Sequence, residues 1–264
     1  MDQGARASAS SQGRSPSGIM LSLLGIVFCA VAGALVWTQF LSDDNDIAGP
    51  TLTLERAEGV SRRVGVAFDD TVSTWQRWFS ETDGLRPAPP RLVMFSRGQP
   101  SPCSGAEPAS GPFFCPVDRV AALDLEFLDM LEVRMRREAA AGTALVVARV
   151  MAGYAQDILD VPDAASGAGS RRFLRDHSLQ ADCLTGVWAG LASSRLGTVP
   201  PGFYARLIAR GTSVRDDPLR RGADPIQTLD IFAQPDAAAR EEAFRRGLNA
   251  ANPAACPGPG PAPR

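Results

Sequence analysis

Lysine does not occur in this 264-residue chain, and histidine occurs once, at His177. All 27 basic residues are therefore arginine, a bias that fits a GC-rich genome and points to no function by itself. A single histidine excludes any zinc clamp that needs two, and the five cysteines contain no Cys-x-x-Cys pair to take its place. Positive charge in excess is missing as well. With a net charge of −2 and a pI near 5.5, the chain has no basic field for phosphates, and no RNA- or DNA-binding motif occurs; nucleic acid is excluded as a partner. What is present is apolar material, 45% of the residues against 21% charged, enough for one sizeable core.

Residues 1–18 are rich in Ser, Gly and Ala, cannot bury enough surface to order themselves, and read as a disordered tail. Residues 19–41, IMLSLLGIVFCAVAGALVWTQFL, carry no charge and at 1.5 Å per residue are long enough to cross about 30 Å of hydrocarbon. Arg6 and Arg14 precede this run and Asp43, Asp44 and Asp46 follow it, so the positive-inside rule places the N-terminus in the cytoplasm and residues 42–256 outside it. A cleaved signal peptide would have a shorter apolar core, and a lipoprotein would have a small residue before Cys29, where Phe28 stands. The segment reads as an uncleaved anchor.

Beyond it, Val60, Val64, Phe68, Val72, Trp75 and Phe79 recur at three- or four-residue spacing and predict one apolar helix face over 54–79. RPAPP at 86–90 ends that region. Short strands are predicted at 91–95, 113–115 and 119–123, with a loop over 100–112 between the first two. Helices are predicted at 125–137, 143–159, 172–196, 201–210 and 237–248, with a flexible loop at 162–170 and a loose Pro-rich tail at 257–264. Helix 143–159 is apolar on most sides, as a central helix would be. Small strands followed by many helices make the fold class α+β, mostly helical with a small sheet.

Four cysteines lie beyond the anchor, in an oxidising compartment, and an even count there favours disulfides. Proximity makes Cys103 with Cys115 the natural first pair, and Cys183 with Cys256 follows by exclusion. Cys29 remains free. His177 could serve as a base beside Cys183, but the two are six residues apart on well-separated sides of one helix, and His177 reads as structural.

PRLVMFS at 90–96, Cys103, GPFFCP at 111–116, ALDLEFLDML at 122–131, LQADCLTGVWA at 179–189, FRRG at 244–247 and NPAAC at 252–256, in that order, resemble the bacterial neutral zinc metallopeptidase family. The N-terminal anchor fits that family too. The resemblance implies a zincin-like domain with HExxH on the central helix and a third ligand, Glu, four residues before the Asp of the LQAD segment. In that arrangement two His at i and i+4 share one helix face and clamp zinc, and the Glu takes a proton from the metal-bound water.

On the family's pattern Arg149 and Gly153 stand at the two His positions and Val150 at the Glu position. Ser178 takes the third-ligand position, and Gln234 that of a downstream His expected before the FRRG helix. Arginine cannot stand in for a ligand, because its guanidinium stays protonated and has no lone pair for a metal. Asp182, which the resemblance makes the partner of a zinc-binding His, is retained. The expectation is a membrane-anchored pseudopeptidase of the periplasmic side of a bacterial inner membrane, with no metal or other cofactor. It would bind peptides in the old cleft or another envelope protein. Two other readings stand beside it: a residual hydrolase in which Asp157, Asp160, Asp176 and Asp182 hold a hard cation, and a structural envelope protein with a plugged cleft. Arg149 is expected to face Asp182 across two central helices, supplying the charge of the lost metal.

Overall fold

Thr53 accepts a hydrogen bond from Arg56 N through its hydroxyl and so caps the first helix, α1, Leu54–Thr82. The helix buries Val60, Val64, Phe68, Trp75 and Phe79 on one face, and Gly84, at φ 67°, turns the chain away from it. The structure, a computed structural model, describes residues 52–96, 98–104, 108–161, 171–216, 227–228, 231–232 and 236–259. The N-terminal stretch 1–18, the apolar run 19–41, the loop at 162–170 and Gln234 lie outside the described residues. Among the described residues, no helix is long and apolar enough to cross a membrane.

Strand β1, Arg91–Phe95, is followed by β2, Ala109–Ser110, β3, Phe113–Cys115, and β4, Val120–Asp124. The main sheet has the order β1-β4-β3, with β1 parallel to β4 (Val93 opposite Ala122) and β3 antiparallel to it (Phe113 opposite Ala122). β4 is buried along its whole length, as a central strand must be. Asp124 ends that strand and caps the next helix, accepting from Phe127 N on one oxygen and from Gly111 N on the other. Helix α2, Leu125–Met135, therefore leaves the sheet without a loop.

The central element is α3, Ala139–Ile158, which buries 13 of its 20 residues and packs on α1, α2, β3, β4 and the next helix, α4, Arg171–Leu191. A short turn of helix, α5, Ser193–Leu196, leads to α6, Phe203–Arg215, and β5, Gln227–Thr228, precedes α7, Ala237–Ala250, which a 3-10 turn at Pro253–Ala255 follows. Two ion pairs, Arg56 with Asp129 and Arg63 with Glu132, fasten α1 to α2. Helices α4 and α7 cross backbone to backbone. A Cβ on Gly247 would lie 1.9 Å from the Cys183 carbonyl oxygen, and one on Gly186 would lie 1.9 Å from that of Phe244. Hydrogen alone fits at those two positions.

Both disulfides join the expected partners, Cys103 with Cys115 and Cys183 with Cys256. The first ties the segment after β1 to β3; the second ties α4 to the residues beyond α7.

Several boundaries differ from the sequence expectation. The central helix begins at Ala139 rather than 143, because Ala139 to Ala141 are strong helix formers that continue it backwards past Gly142. Helix 125–137 stops at Met135, where Arg136 takes φ 54°. The 172–196 stretch divides at Ala192, and the 201–210 helix starts only after Gly202, at φ 72°, and runs on to Arg215. The 100–112 loop contains β2, which pairs in parallel with β5. Two-residue strands more than a hundred positions apart leave no periodicity to read.

Candidate functional site

Arg149 projects from α3 and Asp182 from α4, and the structure brings them together: Arg149 Nε donates to Asp182 Oδ1 at 2.7 Å. Arg149 Nη2 donates further to the Ser178 hydroxyl at 3.1 Å and to the Ser178 carbonyl at 3.3 Å. Asp182 has no exposed surface, Arg149 retains 8% and Ser178 8%.

Two more groups converge on the same carboxylate. Tyr204, from α6, donates to Asp182 Oδ1 at 2.7 Å. Arg240, from α7, donates from Nε to Oδ2 at 2.7 Å and from Nη2 to Oδ1 at 2.9 Å. One carboxylate on α4 thus receives α3, α6 and α7. Burial pushes the Asp182 carboxyl up, but the Arg240 and Arg149 charges and the hydrogen bonds from Arg240 and Tyr204 outweigh it and hold its pKa below the ordinary range. Burial and the adjacent Asp182 charge raise the Tyr204 phenol. Burial lowers the Arg240 guanidinium, Asp182 more than offsets this, and its pKa is raised.

Neither Arg240 nor Tyr204 is a candidate from sequence. They stand 58 and 22 residues from Asp182, on helices whose spacing signals only an apolar face. Asp182 itself, a carboxylate within the apolar run ADCLTGVWA, was the one available hint that a cation had to meet it.

Gly153 lies one turn further along α3 from Arg149. A Cβ there would come within 2.9 Å of Phe114 Cβ and Cδ1, so the Phe114 ring of β3 takes the space in which a side chain at 153 would begin. Val150 is buried in the core. On the same helix Gln156 donates to the His177 carbonyl and to Gln180 Oε1, both at 3.0 Å. The His177 ring stacks on Phe173, and Cys183 is committed to its disulfide, so no His–Cys dyad forms.

These residues do not fit zinc. Arg149 presents only N–H donors, Val150 and Gly153 have no donor atom for a metal, and Ser178 has a single hydroxyl already taken as an acceptor by Arg149. The four aspartates of the hard-cation reading are not assembled either. Asp182 is enclosed by guanidinia, Asp157 is 3.6 Å from Arg119, Asp176 is 3.6 Å from Arg172, and Asp160 sits in a turn at φ 54°. Among the described residues, no group of three or more His, Cys, Asp or Glu is placed to hold a metal. A hollow of about 320 Å³ lined by Gln76, Arg77, Ser80 and Arg86 contains none of the residues of the Asp182 cluster.

Residues 3–258 match the model of a family described as "Putative neutral zinc metallopeptidase". The chain is 26% identical over 198 residues to the "Uncharacterized protein YpfJ" of Escherichia coli K12, covering 72% of this chain and 68% of that protein. It is 27% identical over 184 residues to the "Uncharacterized protein Rv2575" of Mycobacterium tuberculosis H37Rv, covering 63% of this chain and 61% of that protein. The "Uncharacterized protein Mb2605" of Mycobacterium bovis matches to the same extent. No solved structure matches.

Proposed function

Because this chain belongs to the neutral zinc metallopeptidase family, we propose that it is a zincin-like member that binds without cleaving, anchored in a bacterial inner membrane by residues 19–41. Its N-terminus is cytoplasmic in this reading, its domain extracytoplasmic, and its partner a peptide or another envelope protein. The observation that carries the proposal is the seating of Arg149: a guanidinium stands on Asp182 at 2.7 Å, at the position where the family resemblance calls for a zinc-binding His. With Arg240 and Tyr204, Arg149 completes the set of donors to a fully buried carboxylate, so Asp182 is satisfied without a metal. Phe114 against Gly153 supports the same reading, since a second histidine there would collide with the ring. The charge asymmetry around 19–41 and the two disulfides support the anchor and the compartment.

Metal analysis of the purified full-length protein, together with a casein-cleavage assay, tests the proposal. The expected result is no stoichiometric zinc and no cleavage, including in an Arg149→His variant supplied with zinc. A chelator-sensitive metal at one equivalent with peptide cleavage overturns it in favour of a residual hydrolase.

A further inference from the structure

Resting on the non-cleaving reading above, we infer that the Arg149–Ser178 corner is a carboxylate-binding site, suited to the free C-terminal carboxylate of a peptide. In the family resemblance these two positions supply lone pairs to a cation. Here they supply hydrogens. Arg149 spends Nε on Asp182 and Nη2 on Ser178, and among the described residues the two hydrogens of Nη1 have no acceptor. Nη1 is also not among the fully buried unpaired atoms, so it is not sealed from solvent. The Ser178 hydroxyl accepts from Arg149 and, among the described residues, donates to nothing. Both donors belong to residues that are each nine-tenths buried and are joined by the 3.1 Å bond from Nη2 to the hydroxyl, where a hydrogen bond to an anion is stronger than in water.

Charge selects the ligand. Asp182 is the carboxylate that Arg149 meets, and its one negative charge is divided between Arg149 and Arg240. A singly charged group matches what Arg149 has left, whereas a doubly charged phosphate would stand close to Asp182, whose carboxylate is 2.7 Å from the same guanidinium. The turn of α3 that follows Arg149, Val150 to Gly153, carries no charged residue to compete with the ligand.

The test uses the full-length protein and three probes: a fluorescein-labelled tripeptide with a free C-terminus, the same peptide amidated, and acetate as competitor. The free acid is expected to bind at least tenfold more tightly than the amide, and acetate to displace it at high concentration. Ser178→Ala should weaken binding of the free acid roughly 3- to 10-fold, the loss of one hydrogen bond. Arg149→Met should abolish it; because that variant is also expected to be less stable, Ser178→Ala carries the decision. Equal affinity for acid and amide, or no effect of Ser178→Ala, overturns the inference. If acetate alone binds and the peptide does not, the site is for small carboxylates and the peptide assignment falls. The two proposals fail separately. A metal-free, inactive protein that ignores carboxylates sinks only this inference, whereas zinc with cleavage sinks the non-cleaving reading.

Discussion

Removing the donors to Asp182 one at a time should destabilise the protein in a fixed order. Arg149→Met takes away one bond to the carboxylate and two to Ser178, but leaves Asp182 with Arg240 and Tyr204. The carboxylate is not orphaned, so the cost is that of hydrogen bonds to a charged group, about 1.5–3 kcal/mol. Arg240→Met removes two bonds to the carboxylate from a guanidinium that is 1% exposed and leaves Asp182 with Arg149 and Tyr204; two hydrogen bonds to a charged group cost about 3–6 kcal/mol. Asp182→Asn leaves two buried guanidinia facing one neutral amide, and should be the most damaging of the three. Urea unfolding followed through the fluorescence of the buried Trp75 and Trp188 measures all three. Each kcal/mol also lowers Tm by about 2–4 °C for a domain of this size. Arg149→Met with Asp182→Asn should be non-additive by about 1–3 kcal/mol. If Arg240→Met costs less than Arg149→Met, or if the double mutant is additive, Asp182 is not the hub at which the helices meet.

Acid should unfold the protein partly through the same residue. The Asp182 pKa is depressed in the fold below its ordinary 3.8, so the unfolded chain binds the proton more readily; stability is full above about pH 4 and falls as pH drops through the folded value. Asp129, raised by burial against the pull of Arg56, gains stability as pH falls and acts in the opposite direction. An acid titration of Asp182→Asn should therefore lose part of its slope below pH 4, and an unchanged slope counts against the assignment. Gly247→Ala should prevent native packing of α4 on α7, because its methyl would stand 1.9 Å from the Cys183 carbonyl oxygen; near-wild-type Tm would mean that the two helices do not meet there. Removing Cys183–Cys256 by paired serine substitutions should cost more than removing Cys103–Cys115. Chain-entropy loss for separations of 73 and 12 residues gives about 4.5 and about 3 kcal/mol, and denaturant midpoints of the two variants check the order.

The elements that could be read from sequence are those built from local repetition. The apolar stripe of α1, the near-continuous burial of α3 and the short β-rich runs of β1, β3 and β4 follow from spacing along the chain, since a helix or strand face is a property of neighbours three, four or two residues apart. The cysteine pairing was legible for a different reason: with four cysteines and one close pair, few connectivities remain. The two-residue pair β2–β5, the reversal at Arg136 and the division at Ala192 were not, because each is set by contacts from far along the chain or by a single dihedral.

The same distinction runs through the candidate site. Sequence alone determines that Arg149, Val150, Gly153 and Ser178 cannot make a two-histidine zinc site, because ligand chemistry is a property of side-chain atoms and needs no fold to assess. It also leaves one carboxylate, Asp182, inside an apolar helix that demands a cation. Only the tertiary structure decides what answers that demand. Tyr204 and Arg240 arrive from helices 22 and 58 positions away, and Phe114 arrives from the sheet to lie on Gly153. Residues on separate elements meet through packing, and packing distances of a few ångströms have no counterpart in distances along the chain.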